Sequence, residues 1–142
     1  MRLLAALLVA SLTIGACSST TENNDPEPWQ EATSYSYTLS SGCGERFLIG
    51  TFDIQVRDHV VIDASALDDD AQALLDNSGL DHIPTLQQIY DEFWTAKWGE
   101  ADDTHIDHAP IDGHPLTITI DWDAGAIDDD VCYSVAEYDL VP

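Results

Sequence analysis

Five aspartates fall within ten residues near the C-terminal end: Asp121, Asp123, Asp128, Asp129 and Asp130. Carboxylates this close repel one another, and a hard divalent cation with oxygen ligands would relieve the repulsion. Asp121-Trp122-Asp123-Ala124-Gly125 begins as an EF-hand loop does and then departs from it. Gly125 occupies the place of an oxygen ligand, Ala126 replaces the required glycine, and the twelfth position is Cys132 instead of glutamate. The loop therefore reads as a loose calcium site built from these five residues, or as a solvated acidic turn. No cofactor beyond weakly held calcium is expected.

A second cluster holds His105, Asp107, His108 and His114. Zinc requires three or four such ligands on a fixed frame. His105 and His108 lie three positions apart, an odd spacing, so on a strand they point to opposite faces. His108 and His114 flank a turn across which they could meet, yet polar surface histidines are the simpler reading. No nucleophile stands out: the chain has no Gly-x-Ser-x-Gly and no Gly-rich phosphate loop. Acidic residues are so abundant that choosing two for acid–base work would be arbitrary. No catalytic residue is assigned, and the chain reads as a non-enzyme.

The three cysteines have separate uses. Met1-Arg2 is a basic start, Leu3–Leu12 is almost wholly apolar, and Ile14-Gly15-Ala16-Cys17 has the form of a lipobox. This pattern predicts a lipoprotein signal over 1–16, removed by cleavage, with Cys17 carrying diacylglycerol. The apolar stretch is too short to span a bilayer, so the membrane is reached only through the N-terminal lipid. Residues 17–28 form the lipidated cysteine and a polar, proline-containing tether. The expected location is the cell envelope, outside the cytoplasm: the outer membrane in a Gram-negative host, where Ser18 is not the retaining aspartate, or otherwise the outer face of the cytoplasmic membrane. Cys43 and Cys132 remain, and two leftover cysteines in an exported chain are expected to form a disulfide; buried free thiols are the alternative.

Without the leader, Arg46, Arg57 and Lys97 face 27 acidic residues, a net charge of 3 − 27 = −24. Nucleic acid and anionic lipid both require basic patches, so neither is an expected partner. The acidity reads first as a solvated surface suited to a saline exterior; loosely held divalent cations and a cationic protein partner, drawn in by long-range attraction, are the alternatives.

The elements that would position these groups are legible from periodicity. Tyr35, Tyr37 and Leu39 alternate with Ser and Thr, as do Phe52, Ile54 and Val56 with polar neighbours, and Asp58-His59 separates the second run from Val60–Ala64. Leu67–Asn77 suits a short helix ended by Gly79. A longer helix is predicted over Thr85–Trp98, with a Thr85-x-x-Gln88 capping box and a stripe of Leu86, Ile89, Tyr90, Phe93 and Trp94 read as core. Thr104–His108, His114–Trp122 and Val131–Val141 supply the remaining strands. A Cys43–Cys132 bridge would make the first and last strands antiparallel neighbours. With a hairpin on each side, the result is an α+β fold: an antiparallel sheet of about six strands, β-β-β-α-β-β-β in order 3-2-1-6-5-4, with one main helix packed on one face. Residues 29–142 form this single domain.

Several segments in order resemble a family of small bacterial extracytoplasmic proteins, often lipoproteins, defined only as a domain of unknown function. They are Trp29 ahead of Tyr35-Ser-Tyr37-Thr-Leu39, then Cys43, Val56-Arg57-Asp58 with Val60-Val61, Pro84-Thr85-Leu86, Pro110 to Gly113-His114-Pro115, and Ile127-Asp128-Asp129 leading to Tyr133. The chain departs from the family pattern at His59, His108, Ala109 and His114, all at turns. The resemblance implies fold and address, and it carries no activity. The expected function is an anchored binding or envelope-associated module. An inhibitor of a cationic exported enzyme, of lysozyme or protease type, is the alternative, and a hydrolase comes third.

Overall fold

The computed structural model describes residues 28–142. The predicted leader, Cys17 and the tether up to residue 27 lie outside them.

Six strands and two helices follow in the order β1 (Ser34–Ser41), β2 (Gly50–Arg57), β3 (Val60–Ala66), α1 (Asp69–Ser78), α2 (Leu86–Trp98), β4 (Asp103–His108), β5 (Pro115–Asp121) and β6 (Val131–Leu140). The strands form one sheet in order β3-β2-β1-β6-β5-β4, with every neighbouring pair antiparallel. This is the expected order. Cys43 and Cys132 are bonded, with their Cα atoms 5.4 Å apart, and the bridge ties the end of β1 to the start of β6.

Period-2 alternation places one face of the sheet in the core. Tyr35, Tyr37 and Leu39 lie opposite Val56, Ile54 and Phe52, and Leu39 lies opposite Val135 on its other side. All seven are buried. Both helices cover this face, α1 over β2 and β3 and α2 over β4 and β5, so the shorter helix shares the packing role expected of the longer one alone. Gly50 makes room for α1. It has φ 126°, and a Cβ there would stand 2.5 Å from the Ala71 backbone nitrogen. The outer edges, β3 and β4, both carry a register shift against their neighbours, and β4 also carries Asp107 and two histidines. Bulges and charges of this kind discourage edge-to-edge pairing.

The β2–β3 turn has Asp58 and His59 both left-handed, with φ 51° and 63°, the geometry of a two-residue hairpin. His59 carries a β-carbon in a conformation that glycine adopts without strain. Its backbone N–H donates to the Thr33 carbonyl at 3.2 Å and its Nδ1 lies 2.8 Å from Glu31 Oε2, contacts that offset the cost of the conformation.

Helix α2 starts at the predicted capping box. The Gln88 N–H donates to Thr85 Oγ1 at 3.3 Å, and the Thr85 N–H donates to Gln88 Oε1 at 2.8 Å. Thr85→Ala removes one of these and is expected to cost about 1 kcal/mol. For a chain of this size that is a fall in melting temperature of about 4 °C, measurable by circular dichroism. An unchanged melting temperature would mean that tertiary contacts alone fix the start of the helix.

An aromatic groove and a buried carboxylate anchor

Helix α2 buries Leu86, Ile89, Phe93 and Ala96 against the sheet. Tyr90, Trp94 and Trp98 follow at i, i+4 and i+8 and form a separate row along its flank. Their exposure rises along the row: Tyr90 is buried, Trp94 is half-buried and Trp98 is 78% exposed. Tyr90 and Trp94 have ring centroids 5.9 Å apart, and Trp94 and Trp98 stack at 6.0 Å with planes 17° apart. Trp29, from the segment before β1, meets Tyr90 edge-on at 5.6 Å. The β4–β5 hairpin supplies the opposite wall through Ile106, His108 and Asp112. The result is two adjoining hollows of about 700 and 660 Å³ that share Pro28, Trp29, Tyr90 and Trp94. Of the stripe read as core, Leu86, Ile89, Tyr90 and Phe93 are buried, and Trp94 packs half-buried against the core while also lining the groove.

Carboxylates border the groove. Asp91 and Asp112 are exposed, and Glu31 lies deeper, with its side chain 5% exposed. Burial favours the neutral form of Asp112, but hydrogen bonds from His114 outweigh it and hold the carboxyl below the usual aspartate range. Partial burial lowers the His108 imidazole; Asp107 pulls the other way, and His114 adds to the lowering. The balance favours the neutral ring, which lies near Tyr90 with their centroids 6.1 Å apart. Lys97 is the groove's one lysine, with Nζ 5.5 Å from the Trp94 centroid and 5.6 Å from that of Phe93.

Glu31 fastens this region to the fold. Its Oε1 accepts from the Tyr35 hydroxyl and, at 3.2 Å, from the Gln87 N–H; its Oε2 faces His59 Nδ1. The Tyr35 oxygen in turn accepts from the Leu86 N–H at 2.9 Å, and the Tyr37 hydroxyl donates to the Pro84 carbonyl at 2.6 Å. Two strand tyrosines and one carboxylate thereby occupy the N-terminal turn of α2, where free N–H groups favour an anion. Burial pushes the Glu31 carboxyl up, but hydrogen bonds from Tyr35, His59 and Gln87 hold it below the ordinary glutamate value. A carboxylate kept ionised with both oxygens engaged is suited to anchoring rather than to proton transfer.

The predicted acidic cluster is only partly assembled. One carboxylate oxygen each from Asp121, Asp129 and Asp130 lies within 4.8 Å of the others, the only such gathering of three among the described residues. Glu45 N–H donates to the Asp128 carbonyl at 2.9 Å, and Gly44, at φ 72°, fits where a Cβ would stand 2.2 Å from the Asp130 carbonyl oxygen. These contacts fix the path of the loop. The same path keeps two of the five predicted residues out of the cluster: the Asp123 carboxylate accepts from the Gly125 N–H at 2.8 Å, and Asp128 is exposed. Burial first, then Asp130, Asp129, Asp102 and Asp103, push the Asp121 carboxyl up. Asp129 Oδ1 is buried without a hydrogen-bond partner. Three carboxylates could hold calcium through one oxygen each, leaving most of its six to eight ligand positions to water.

The histidines go separate ways. His105 Nε2 lies 3.2 Å from Asp107 Oδ1, and His114 Nδ1 lies 2.6 Å from Asp112 Oδ1 while its ring stacks on Tyr138. No three of these side chains converge as metal ligands among the described residues.

The fold and groove define a two-layer α+β protein with an acid-rimmed aromatic cleft between a helix flank and a hairpin. The chain belongs to a family of unknown function, DUF6174, whose match covers residues 23–139. No curated protein and no solved structure matches it.

Proposed function

We propose that this chain is an extracytoplasmic, lipid-anchored binding module whose aromatic groove takes a basic segment of a partner protein. The observation that carries the reading is the pairing of groove-lining tryptophans, one half-buried and one exposed, with carboxylates. Trp94 and Trp98 offer ring faces, Asp91 and Asp112 flank them, and the whole chain has a net charge of −23. Ring faces attract cations by about 0.5–1 kcal/mol at exposed sites and more when desolvated. The surrounding negative field would speed encounter with a basic protein and make it salt-dependent. The lipobox before Cys17 and the disulfide fit an exported protein. Inhibition of a cationic exported enzyme is the special case in which the captured segment belongs to an active site.

The test uses a fluorescently labelled peptide of alternating lysine and glycine, with a glutamate–glycine peptide as control. The lysine peptide is expected to bind at low salt, to weaken as salt rises, and to lose about tenfold or more in affinity on Trp94→Ala, as an anchor residue would. Equal binding by the variant would place the contact elsewhere on the acidic surface and remove the groove from the proposal.

A further inference from the structure

Lys97 is the chain's only lysine, and it sits on the aromatic row it would have to vacate for a ligand. Lys97 belongs to the last turn of α2, one residue before Trp98 and three after Trp94. A lysine there can extend into solvent, toward Glu100 or along the helix. This one is exposed, and its ammonium lies 5.5 Å from the Trp94 ring centroid and 5.6 Å from the Phe93 centroid, beside a hollow that it lines together with Asp112 and His108. No carboxylate lies within salt-bridge distance of it among the described residues. The rings therefore hold this cation without a directly paired counter-charge, as a cation–π seat would.

From this we infer that Lys97 is the resident occupant of a cation seat, and that the partner's basic side chain binds by taking its place. The inference rests on the groove reading above and deepens it. The ligand group is a single lysine ammonium or arginine guanidinium placed over Trp94, and Lys97 is its internal competitor. The structure already contains a ligand-like group in the site, so the seat has the size and electrostatic sign for that chemistry. Displacement also sets a threshold. A ligand must supply more than one weak cation–ring contact to bind, which favours segments with several basic residues over isolated cations.

The experiment compares Lys97→Gln, Lys97→Arg and Arg57→Gln with the wild type, using the same labelled lysine–glycine peptide at low and high salt. Lys97→Gln empties the seat and removes one positive charge. Arg57→Gln removes the same charge from β2, outside the groove. Emptying a seat worth about 0.5–1 kcal/mol should raise affinity about two- to fivefold beyond the gain from Arg57→Gln. Because exposed long-range repulsion is screened and direct competition is not, this excess should persist at high salt. Lys97→Arg keeps a cation over the rings and should bind as the wild type does. If Lys97→Gln gains no more than Arg57→Gln, or if its excess vanishes with salt, competition is overturned while the groove reading survives. If the wild type shows no Trp94-dependent binding at all, both fall together.

Discussion

Replacing Cys43 and Cys132 with alanine is expected to lower the unfolding free energy by about 4–5 kcal/mol. The bridge closes a sequence separation of 89 residues, so it removes many conformations from the unfolded chain. Net stabilities of small folds are about 5–15 kcal/mol, so the loss is a large share of the total. The native sheet changes less, because β1 and β6 are already paired from Tyr35–Leu140 to Ser41–Tyr133. The signature should therefore appear in the unfolded state: in urea, the variant should unfold at lower concentration and with a steeper dependence, since its denatured chain exposes more surface. The acidic composition adds a second expectation. With a net charge of −23, the released chain relieves self-repulsion by expanding, so the deficit should be greatest at low salt. A loss under about 1 kcal/mol, far short of the chain-entropy figure, would show that the unfolded chain remains compact without the bridge.

The second large effect concerns Glu31. Glu31→Ala should cost about 2–3 kcal/mol, because charge-assisted hydrogen bonds contribute more than neutral ones and their removal leaves the Gln87 N–H and the Tyr35 hydroxyl short of an acceptor. Glu31→Gln keeps the shape and loses the charge, so it should fall between. The sign of the pH dependence follows from the lowered carboxyl. Hydrogen bonds that favour the ionised form stabilise the fold fully above the unfolded-state value of 4.5, and that contribution drains away as pH falls through the lower folded-state value. The measured quantity is the difference in urea stability between wild type and Glu31→Gln, near neutrality and below pH 4.5. The difference is needed because acidification also discharges the rest of the acidic surface, which acts in the opposite direction. A gap that stays constant across this range would mean that ionisation of Glu31 contributes nothing and that the different hydrogen bonding of the amide accounts for the difference. Because Trp29 lies two residues before Glu31 and lines the groove, loss of the anchor should also loosen the groove's near wall and weaken peptide binding.

The sequence by itself determined the strands, the main helix and their order. Alternation in Tyr35–Leu39 and Phe52–Val56 reflects the pleat, which sends successive side chains to opposite faces. Thr85 and Gln88 were legible as a cap because capping depends on residues three apart in the chain. The cysteines added the one long-range fact: the expected Cys43–Cys132 pair is bonded, and that bridge orders the sheet. Tertiary structure alone decided the groove. Trp29 and Trp94 are far apart in sequence, and nothing in either segment says that the chain before β1 will lie along the flank of α2. The signal within the helix was present: Tyr90, Trp94 and Trp98 repeat every four residues, whereas the buried row is Leu86, Ile89, Phe93 and Ala96. A period of four drifts around a helix of 3.6 residues per turn, so the two rows share a helix and diverge toward its end. Which row turned toward the sheet depended on where the helix docked. Glu31 was silent for the same reason, its partners on α2 and at His59 being supplied only by the folded chain. The acidic loop shows the reverse limit. Composition left open a loose site of up to five aspartates or a solvated acidic loop; the backbone contacts of Gly44 and Glu45 set the loop's path, and only Asp121, Asp129 and Asp130 come together.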